Sequence, residues 1–294
     1  MNCGFVALIG RPNVGKSTLM NHVLKQKISI TSRKPQTTRH RITGINTTEA
    51  GQIIYVDTPG MHADGKQALN RYLNKTADTT LLGVDVVVWV IDGLYWHEYD
   101  DIIFKKLEQA GLPVILAVNK VDKIQNKDDV LAFFAAAQQR YPFEHIIPIS
   151  ALKGNNLDQL EKSILALLPE ADLIYGEDQV TDRSERFLCA EIIREKLTRR
   201  LGAELPYAST VEIQLYQEKA QLTKIYAVIW VERLTQKNIV VGSQGDMLKS
   251  IGTDARVDIE RLIGRKVYLQ LWVKVKKGWS NNERALQSLG FNDG

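Results

Sequence analysis

Cysteine and long apolar runs are both scarce in this chain. Two cysteines, Cys3 and Cys189, occur in 294 residues, too few for a disulfide framework or for a metal or redox site by themselves. No apolar run approaches the ~20 residues of a membrane-spanning helix, and no charged-then-apolar leader opens the sequence. We therefore expect reduced thiols and a cytoplasmic protein.

Positive and negative charges nearly balance overall, but they are unevenly distributed along the chain. Residues 183–294 contain 19 Lys and Arg against 13 Asp and Glu, whereas residues 1–182 contain 19 against 21. The basic excess of the second part suggests a polyanionic partner, although a solvated basic surface explains charge alone equally well. The length of 294 residues, at ~100–200 residues per domain, predicts two domains.

A glycine-rich octapeptide, G-R-P-N-V-G-K-S, lies at Gly10 to Ser17. This is the P-loop pattern, in which glycines let backbone N–H groups wrap a phosphate chain between a strand and a helix. Lys16 would reach the β- and γ-phosphates, and the Ser17 hydroxyl would hold Mg²⁺.

Three further motifs follow in order. D-T-P-G (Asp57 to Gly60) would bring a carboxylate to Mg²⁺ and a backbone N–H to the γ-phosphate. N-K-V-D (Asn119 to Asp122) would read guanine, because a fixed carboxylate accepts from N1–H and the exocyclic amine, a donor pair that adenine lacks. S-A-L (Ser150 to Leu152) would add the Ala151 N–H to the guanine carbonyl oxygen. Together the four motifs predict a guanine-nucleotide-binding domain.

The stretch T-S-R-K-P-Q-T-T-R-H-R between the P-loop and D-T-P-G is polar and mostly basic. It reads as a loop that orders when a threonine hydroxyl meets Mg²⁺ beside the γ-phosphate. We favour Thr38 over Thr37 for that hydroxyl; a plain basic surface loop is the alternative.

Short apolar runs alternate with helical patterns up to Pro169, which predicts a doubly wound, mostly parallel sheet. An acidic stretch without periodicity follows and reads as a linker. The remainder predicts the order α-β-β-α-α-β, with Ile239–Val241 as the end of an apolar strand. The predicted divisions are therefore residues 1–170, 171–182 and 183–294.

The motifs resemble those of the translation-factor-related GTPases and, within them, of the bacterial Era family. V-G-S-Q-G-D-M-L-K-S-I-G and L-W-V-K-V-K-x-G-W extend the resemblance over nearly the whole chain. The resemblance implies a P-loop GTPase domain followed by an α+β type II KH domain. It also implies binding near the 3′ end of small-subunit ribosomal RNA, a role in small-subunit assembly, peripheral contact with the cytoplasmic membrane, and a monomer.

Residue by residue, the predicted contacts are as follows. GTP or GDP would be bound by Gly10, Arg11, Pro12, Asn13, Val14, Gly15, Lys16, Ser17, Thr18, Asp57, Thr58, Pro59, Gly60, Met61, Asn119, Lys120, Asp122, Ser150, Ala151 and Leu152. Mg²⁺ would be held by Ser17, Thr38 and Asp57, and catalysis would fall to Asn13, Lys16, Thr38 and Gly60.

One departure from the Ras-like pattern is Met61, which stands where many GTPases place a glutamine that orients water. A thioether cannot do this, so we expect slow intrinsic hydrolysis. Relatives with asparagine at the position of Asn13 use it to hold K⁺ near the phosphates, and the resemblance implies the same here. A residue that only shapes the turn is the alternative.

RNA is expected at the loop Gly242-Ser243-Gln244-Gly245, because glycines at a helix N-terminus allow a nucleotide backbone to approach closely. The predicted RNA contacts are Gly242, Ser243, Gln244, Gly245 and Lys249, with bases against Ile239, Val241 and Ile251. Stacking of bases on Tyr268, Trp272 and Trp279 is an alternative, but these residues are left out of the set because aromatic residues on strands more often cover a core.

Two other functions remain open from the sequence. The chain would be the GTPase component of an RNA-modification complex, or a membrane or signalling adaptor whose second domain binds protein. The absence of a cysteine or histidine cluster argues against the first alternative, and the basic region around the GxxG loop argues against the second.

Overall fold

The computed structural model of this chain describes residues 1–32, 34, 37–59, 68–202, 205 and 207–291. They fall into two compact units. The first comprises Met1–Ser29, Thr38–Asp64 and Leu73–Asp182, and the second comprises Ile30–Thr37, Gly65–Tyr72 and Arg183–Gly294. Among the described residues, no helix combines the length and apolarity that crossing a membrane requires.

The first unit is built around a six-stranded sheet with the order β2-β3-β1-β4-β5-β6. Its strands are β1 Asn2–Ile9, β2 Ile42–Thr48, β3 Gly51–Asp57, β4 Val86–Asp92, β5 Val114–Asn119 and β6 His145–Pro148. All neighbours pair in parallel except β2, which runs antiparallel to β3. The mostly parallel sheet predicted from the sequence is therefore confirmed.

Helices follow most of these strands, as the alternating pattern predicts. They are α1 Lys16–Val23, α2 Ala68–Thr80, α3 Glu98–Ala110, α4 Lys127–Arg140 and α5 Leu157–Leu167. Two of these helices begin with a side-chain cap: His97 caps α3, and the Asn126 side chain accepts from the Asp128 N–H at α4. The strands β4 and β5 are buried on both faces, which explains their continuous apolar sequences.

Three elements of the first unit were not predicted from the sequence: β2, β6 and α2. Strand β2 reads I-T-G-I-N-T-T, with too many polar and small residues to stand out from the basic loop before it. Strand β6 has only four residues and ends in proline. The predicted linker 171–182 is not free of the sheet either, because Ile45 N–H donates to Val180 O at 2.8 Å and Thr181 forms a bridge with Gly44 in β2.

The second unit has a three-stranded sheet in the order β7-β8-β9. Its elements are α6 Glu185–Arg200, β7 Ser209–Glu218, β8 Leu222–Val231, α7 Leu234–Val241, α8 Asp246–Ile263, β9 Lys266–Val275 and α9 Glu283–Ser288. The predicted order α-β-β-α-α-β is present, with α9 added after it. An apolar core joins α6, α8 and one face of the sheet.

The prediction that Ile239–Val241 end a strand is wrong, because these residues form the last turn of α7. The helix is capped at its start, where Gln236 Oε1 accepts from the Arg233 N–H at 2.9 Å. Within α7 only Val240 is fully buried. An apolar triplet of β-branched residues looks like a strand, but here helical capping and the burial of a single side chain decide the structure.

Candidate functional site

The carboxyl ends of the parallel strands bring the nucleotide motifs to one edge of the first sheet. Across β1 and β3, Leu8 is in register with Asp57, and across β4 and β5, Asp92 is in register with Asn119. This edge is where ligands bind in open α/β sheets. The sheet therefore brings together motifs that are more than a hundred residues apart in the sequence.

The P-loop turns from β1 into α1 through Gly15, whose φ of 110° lies in the left-handed region. A Cβ atom at this position would lie 2.2 Å from Asn119 Nδ2. Glycine is therefore required twice, by the backbone conformation and by the close approach of Asn119. Packing within the protein thus sets the conformation of this loop.

Lys16 is the first residue of α1, and its side chain folds back over the loop. Its Nζ donates to the carbonyl oxygens of Gly10 at 2.8 Å and Arg11 at 2.9 Å. Burial lowers the pKa of Lys16 to about 8, while Asp57 opposes the shift. A bound phosphate would further favour the charged ammonium form, because an adjacent negative charge raises the pKa of a lysine.

Ser17, Thr38 and Asp57, the three predicted metal ligands, lie together. Asp57 Oδ2 accepts from Ser17 Oγ at 2.6 Å and from Thr38 Oγ1 at 3.4 Å, and the two hydroxyls are 2.9 Å apart. Burial raises the pKa of Asp57, an effect that Lys16 and the surrounding hydroxyls oppose. The cluster is a small, buried set of oxygen atoms at the N-terminus of α1.

The donor set fits Mg²⁺. Asp57 Oδ1 is buried, and no residue that the structure describes donates a hydrogen bond to it. One carboxylate with hydroxyls is the sparse oxygen set that Mg²⁺ uses when substrate phosphates and water complete its shell. The described residues contain no group of three or more His, Cys, Asp or Glu side chains that could hold a metal without such help.

The base-reading residues form a hydrogen-bonded group beside the P-loop. Asn119 Nδ2 donates to Val14 O at 2.7 Å, and Lys120 Nζ donates to Asn13 O at 3.0 Å. Ser150 Oγ donates to Asp122 Oδ1 at 2.6 Å, and this hydrogen bond is the main reason that the pKa of Asp122 is lowered. Asp122 is therefore held as an oriented, ionised acceptor, as reading guanine requires.

The expected role of Ala151 differs in one respect. Its N–H donates to Asn119 Oδ1 at 2.9 Å, so in this structure the amide holds Asn119 in place rather than standing open for a guanine carbonyl. Leu152 is strongly exposed at the surface. In the S-A-L motif, the Ser150 hydroxyl thus holds Asp122 and the Ala151 N–H holds Asn119.

The remaining predicted nucleotide residues have mixed positions. Arg11 is turned toward α3, where its Nε donates to the buried Asp100 Oδ1 at 3.1 Å. Thr58 Oγ1 donates to Leu8 O at 3.0 Å. Pro12 and Thr18 are half-buried and Pro59 is buried. Gly60 and Met61 lie outside the described residues.

Two residues of this site were missed by sequence reasoning. Ser29 Oγ donates to Asp57 Oδ2 at 2.8 Å, although no motif marks it. Asp92 accepts from Lys120 Nζ. Asp92 was detectable in principle, because it ends an apolar strand in the same way as Asp57.

The segment Ile30–Thr37 groups with the second unit, although Thr38 follows it in the chain. The buried Glu195 of α6 accepts from the Thr31 N–H at 3.0 Å. Arg194 donates to the Thr37 carbonyl and pairs with Glu191 at 2.6 Å. These contacts explain why α6 buries charged side chains, which its sequence pattern did not predict.

The GxxG loop of the second unit connects α7 to α8 and is mostly exposed. Gly245 has a φ of 84°, and a Cβ atom there would meet nothing within 4 Å. Ser243, Gln244 and Lys249 are exposed. The first residue of α8 is Asp246, whose carboxylate would oppose a phosphate at this helix terminus.

The predicted base contacts near this loop need one correction. Ile239 is exposed and Val241 is half-buried, so both are accessible to a ligand. Ile251 is fully buried in the core with Ala255 and Ile259. Its side chain packs into the core beneath α8 and has no exposed surface for a base.

Comparison with known proteins shows the family. GTPase Era of Marinobacter nauticus is 55% identical over 291 residues, covering 99% of this chain and 95% of that protein. GTPase Era of Pseudomonas savastanoi pv. phaseolicola is also 55% identical, with 99% and 97% covered. This chain belongs to the Era family of GTPases. The family described as "50S ribosome-binding GTPase" matches residues 5–120, and the KH domain family matches residues 204–280.

Solved Era structures have the same fold over the full length. A tyrosine-to-alanine variant of Aquifex aeolicus Era bound to GDP·AlF4⁻ superposes with a TM-score of 0.96 at 39% identity, with 99% of both chains covered. Era in complex with MgGDPNP and nucleotides 1506–1542 of 16S ribosomal RNA gives a TM-score of 0.95 at 38% identity. The predicted architecture, a P-loop GTPase domain followed by a KH domain, is confirmed, as is the assignment of GTPase activity.

Proposed function

We propose that this GTPase is a nucleotide-controlled RNA-binding switch that assists assembly of the small ribosomal subunit. Its KH domain would bind small-subunit ribosomal RNA near the 3′ end. The observation that carries the proposal is the full-length likeness, with 99% of both chains covered, to an Era bound to MgGDPNP and 16S ribosomal RNA nucleotides 1506–1542.

In this proposal, residues of the first unit divide the work on GTP. The Lys16 ammonium binds the β- and γ-phosphates, and Asp122 accepts from N1–H and the exocyclic amine of guanine. Ser17, Thr38 and Asp57 would hold Mg²⁺, which would neutralise charge on the phosphate oxygens. The distance of 2.6 Å between Ser17 Oγ and Asp57 Oδ2 supports this assignment, as does the burial of Asp57 Oδ1.

Hydrolysis is proposed to be slow until a partner or ion assists it. Water attacks the γ-phosphate and yields GDP and phosphate, and the Met61 thioether cannot orient that water. We assign Asn13 as the residue that would hold K⁺ beside the phosphates. Its backbone lies in the left-handed region with a φ of 65°, and its carbonyl oxygen accepts from Lys120 Nζ at 3.0 Å. Equal hydrolysis rates in K⁺ and Na⁺ buffers would remove this assignment.

The domain divisions predicted from the sequence, and the oligomeric state and location implied by the family resemblance, are also proposals. We propose divisions at residues 1–170, 171–182 and 183–294, a monomer, and a cytoplasmic location with peripheral contact with the inner face of the cytoplasmic membrane. Light scattering of the purified chain tests the monomer, and cell fractionation tests the location. Proteolysis within 171–182 would test the linker, whose contacts with β2 predict partial protection.

Crosslinking to total cellular RNA, with the chain bound to GTP or to GDP, tests the proposal. Enrichment of the small-subunit RNA segment near the 3′ end, stronger in one nucleotide state, is the expected result. Gly245→Asp should remove this enrichment, because a carboxylate in the GxxG loop repels phosphate. Enrichment of transfer RNA instead would favour the RNA-modification function, and crosslinking to no RNA would reject the proposal.

A further inference from the structure

The sheet of the second unit has a covered face and an open face. Ile225, Ala227 and Ile229 of β8 are fully buried in the core shared with α6 and α8. Side chains alternate along a strand, so the even-numbered residues of β8 and β9 point the other way. These even-numbered residues form the open face, on the opposite side of the sheet from α8.

Aromatic rings cluster on this open face. Tyr226 and Trp272 have ring centroids 5.4 Å apart, nearly perpendicular at 89°, and Tyr226 lies 6.3 Å from Tyr268. Trp272 keeps 36% and Tyr268 keeps 48% of its surface exposed. Edge-to-face packing fixes the rings while leaving them accessible, which lowers the entropy that a stacking ligand would cost.

Of the three aromatic residues left out of the predicted RNA contacts, only Trp279 covers a core, and it lies in a 3₁₀ turn at Trp279–Asn281 after β9 rather than on a strand. Trp279 is fully buried, and its Nε1 donates to Ala208 O at 3.2 Å. Tyr268 and Trp272 instead remain at the surface. A large exposed aromatic pair in a soluble protein generally marks a binding surface.

Lysines surround the rings. In the parallel register Lys224 lies opposite Tyr268, and Lys274 lies opposite Trp230. Lys274 and Lys276 place Nζ 5.9 and 5.8 Å from the Trp230 ring centroid. Within the described part of the chain, Lys224 and Lys274 form no ion pair.

The acidic contribution to this face is small. Glu212 of β7 is in register with Val228, and its carboxylate accepts from Trp230 Nε1 at 2.7 Å. Gln270 lies between Tyr268 and Trp272 along β9. The surface therefore combines aromatic rings, positive charge and an amide, with few aliphatic side chains that would suit a lipid or an apolar protein partner.

We propose that this open face is a second binding surface for single-stranded RNA, in addition to the GxxG loop. Bases stack on Tyr268 and Trp272, and phosphates contact Lys224 and Lys274. Exposed aromatics on a sheet, flanked by positive charge, bind single strands in this way with little dependence on sequence. This inference rests on the proposed function, because the open face would bind a further part of the RNA that the KH loop holds.

Fluorescence anisotropy with two labelled, unstructured RNAs tests the proposal on the full chain bound to GTP. One RNA has about 30 nucleotides, and the other has about six, enough for a KH loop that clamps about four. The double variant Tyr268→Ala/Trp272→Ala should weaken binding of the long RNA by about a hundredfold, at about tenfold for each ring. Its affinity for the short RNA should change by less than about twofold.

Two controls separate stacking from folding. The double variant Tyr268→Phe/Trp272→Phe keeps an aromatic ring at each position and should restore binding of the long RNA. Tyr99→Ala removes a tyrosine of similar exposure, 40%, from α3 of the first unit and should have no effect on either RNA. Thermal unfolding of each variant shows whether the sheet is intact.

The lysines provide a second measurement that does not depend on the aromatic variants. Lys224→Gln/Lys274→Gln should reduce the slope of log affinity against log salt for the long RNA by about 1.4, because each phosphate contact on a single strand contributes about 0.7. An unchanged slope together with unchanged binding by the aromatic double variant would overturn the inference.

The outcomes also separate this inference from the proposed function. Failure of the unsubstituted chain to bind either RNA would reject both. Binding of both RNAs that is insensitive to the open face would reject the second surface and leave the KH loop. If the aromatic double variant instead loses only binding to anionic lipid vesicles, the face serves a membrane and the inference is wrong.

Discussion

Gly15 of the P-loop and Gly245 of the GxxG loop are constrained for different reasons. In the P-loop, a Cβ atom at Gly15 would lie 2.2 Å from Asn119 Nδ2, so the protein itself fills the space. In the GxxG loop, a Cβ atom at Gly245 would meet nothing within 4 Å. A Cβ atom at Gly242, the other glycine of that loop, would lie 2.7 Å from Met247 Cβ, so Gly15 and Gly242 are packed and Gly245 alone is open.

The same difference extends to the polar side chains around each loop. Around the P-loop, the side chains of Lys16, Asp57 and Asn119 are buried and form hydrogen bonds within the site. Around the GxxG loop, those of Ser243, Gln244 and Lys249 are exposed. A packed site of this kind is preorganised, and small changes in it are costly. An exposed loop tolerates substitution better, and the effect is seen mainly in binding.

Matched alanine substitutions should expose this difference most strongly. Gly15→Ala combines backbone strain with a clash, so we expect GTP affinity to fall at least about a hundredfold, equivalent to about 3 kcal/mol. Gly245→Ala meets only the left-handed backbone penalty, so we expect it to lower the unfolding free energy by about 1 kcal/mol. Calorimetric titration with GTP and urea unfolding of both variants provide the measurement, and equal losses would contradict the contrast.

Asp122→Asn tests whether the packed site also determines base identity. The amide replaces one acceptor with a donor, so guanine loses its paired acceptors and affinity should fall about a hundredfold, or about 3 kcal/mol. Xanthosine triphosphate, which presents a carbonyl in place of the amine, should bind better than GTP. Competition against a fluorescent nucleotide measures both, with Asp172→Asn in the exposed linker as control.

Arg194→Ala tests whether polar burial is confined to the nucleotide site. Arg194 and Glu191 of α6 are 3% and 6% exposed, so removing the arginine should lower the unfolding free energy by about 3 kcal/mol. Arg261→Ala removes an arginine that is 77% exposed, and the loss should stay below about 0.5 kcal/mol. Equal stability of the two variants in urea would show that the buried pair adds nothing.

Glu161→Gln tests a small, pH-dependent effect in the first unit. Burial raises the pKa of Glu161, while Asn46 and Tyr55 oppose the shift by donating to Oε1. Because the folded-state pKa is raised, the stability contributed by the neutral acid is present below the ordinary pKa and is lost as pH rises through the raised value.

The glutamine variant should therefore be more stable than the unsubstituted chain at pH 7 by about 0.5 kcal/mol, after allowance for solvent screening. The difference should vanish near pH 4. Urea unfolding at both pH values measures it, with Glu144→Gln, at an exposed glutamate, as a control that should show no such trend. A constant difference at both pH values would mean that titration of Glu161 is not its cause.

Much of the first unit could be predicted because its motifs follow buried strands. Phosphate-binding glycines and base-reading carboxylates must stand at fixed spacing, so G-R-P-N-V-G-K-S and N-K-V-D identify themselves. Strand β2 and Ser29 could not be found in this way. Neither carries a motif, and their positions depend on partners such as Gly51–Asp57 and Asp57 Oδ2.

The second unit was predicted in order but not in detail. The alternation of β8 and β9 gave the strands, yet β-branched Ile239–Val241 proved helical because capping and tertiary packing override a weak local preference. Ile251 was expected as an apolar base contact beside the loop, but the packing of α8 on the sheet shows that it points into the core.

By itself the sequence determined the nucleotide chemistry and the two-part architecture, because both depend on residue types at fixed spacing. Only the tertiary structure decided which side chains are accessible. It buried Ile251 and Trp279, left Tyr268 and Trp272 in solvent, and brought Thr31 and Thr37 to charged residues of α6. Accessibility is a property of what packs against a residue, and those neighbours come from distant parts of the chain.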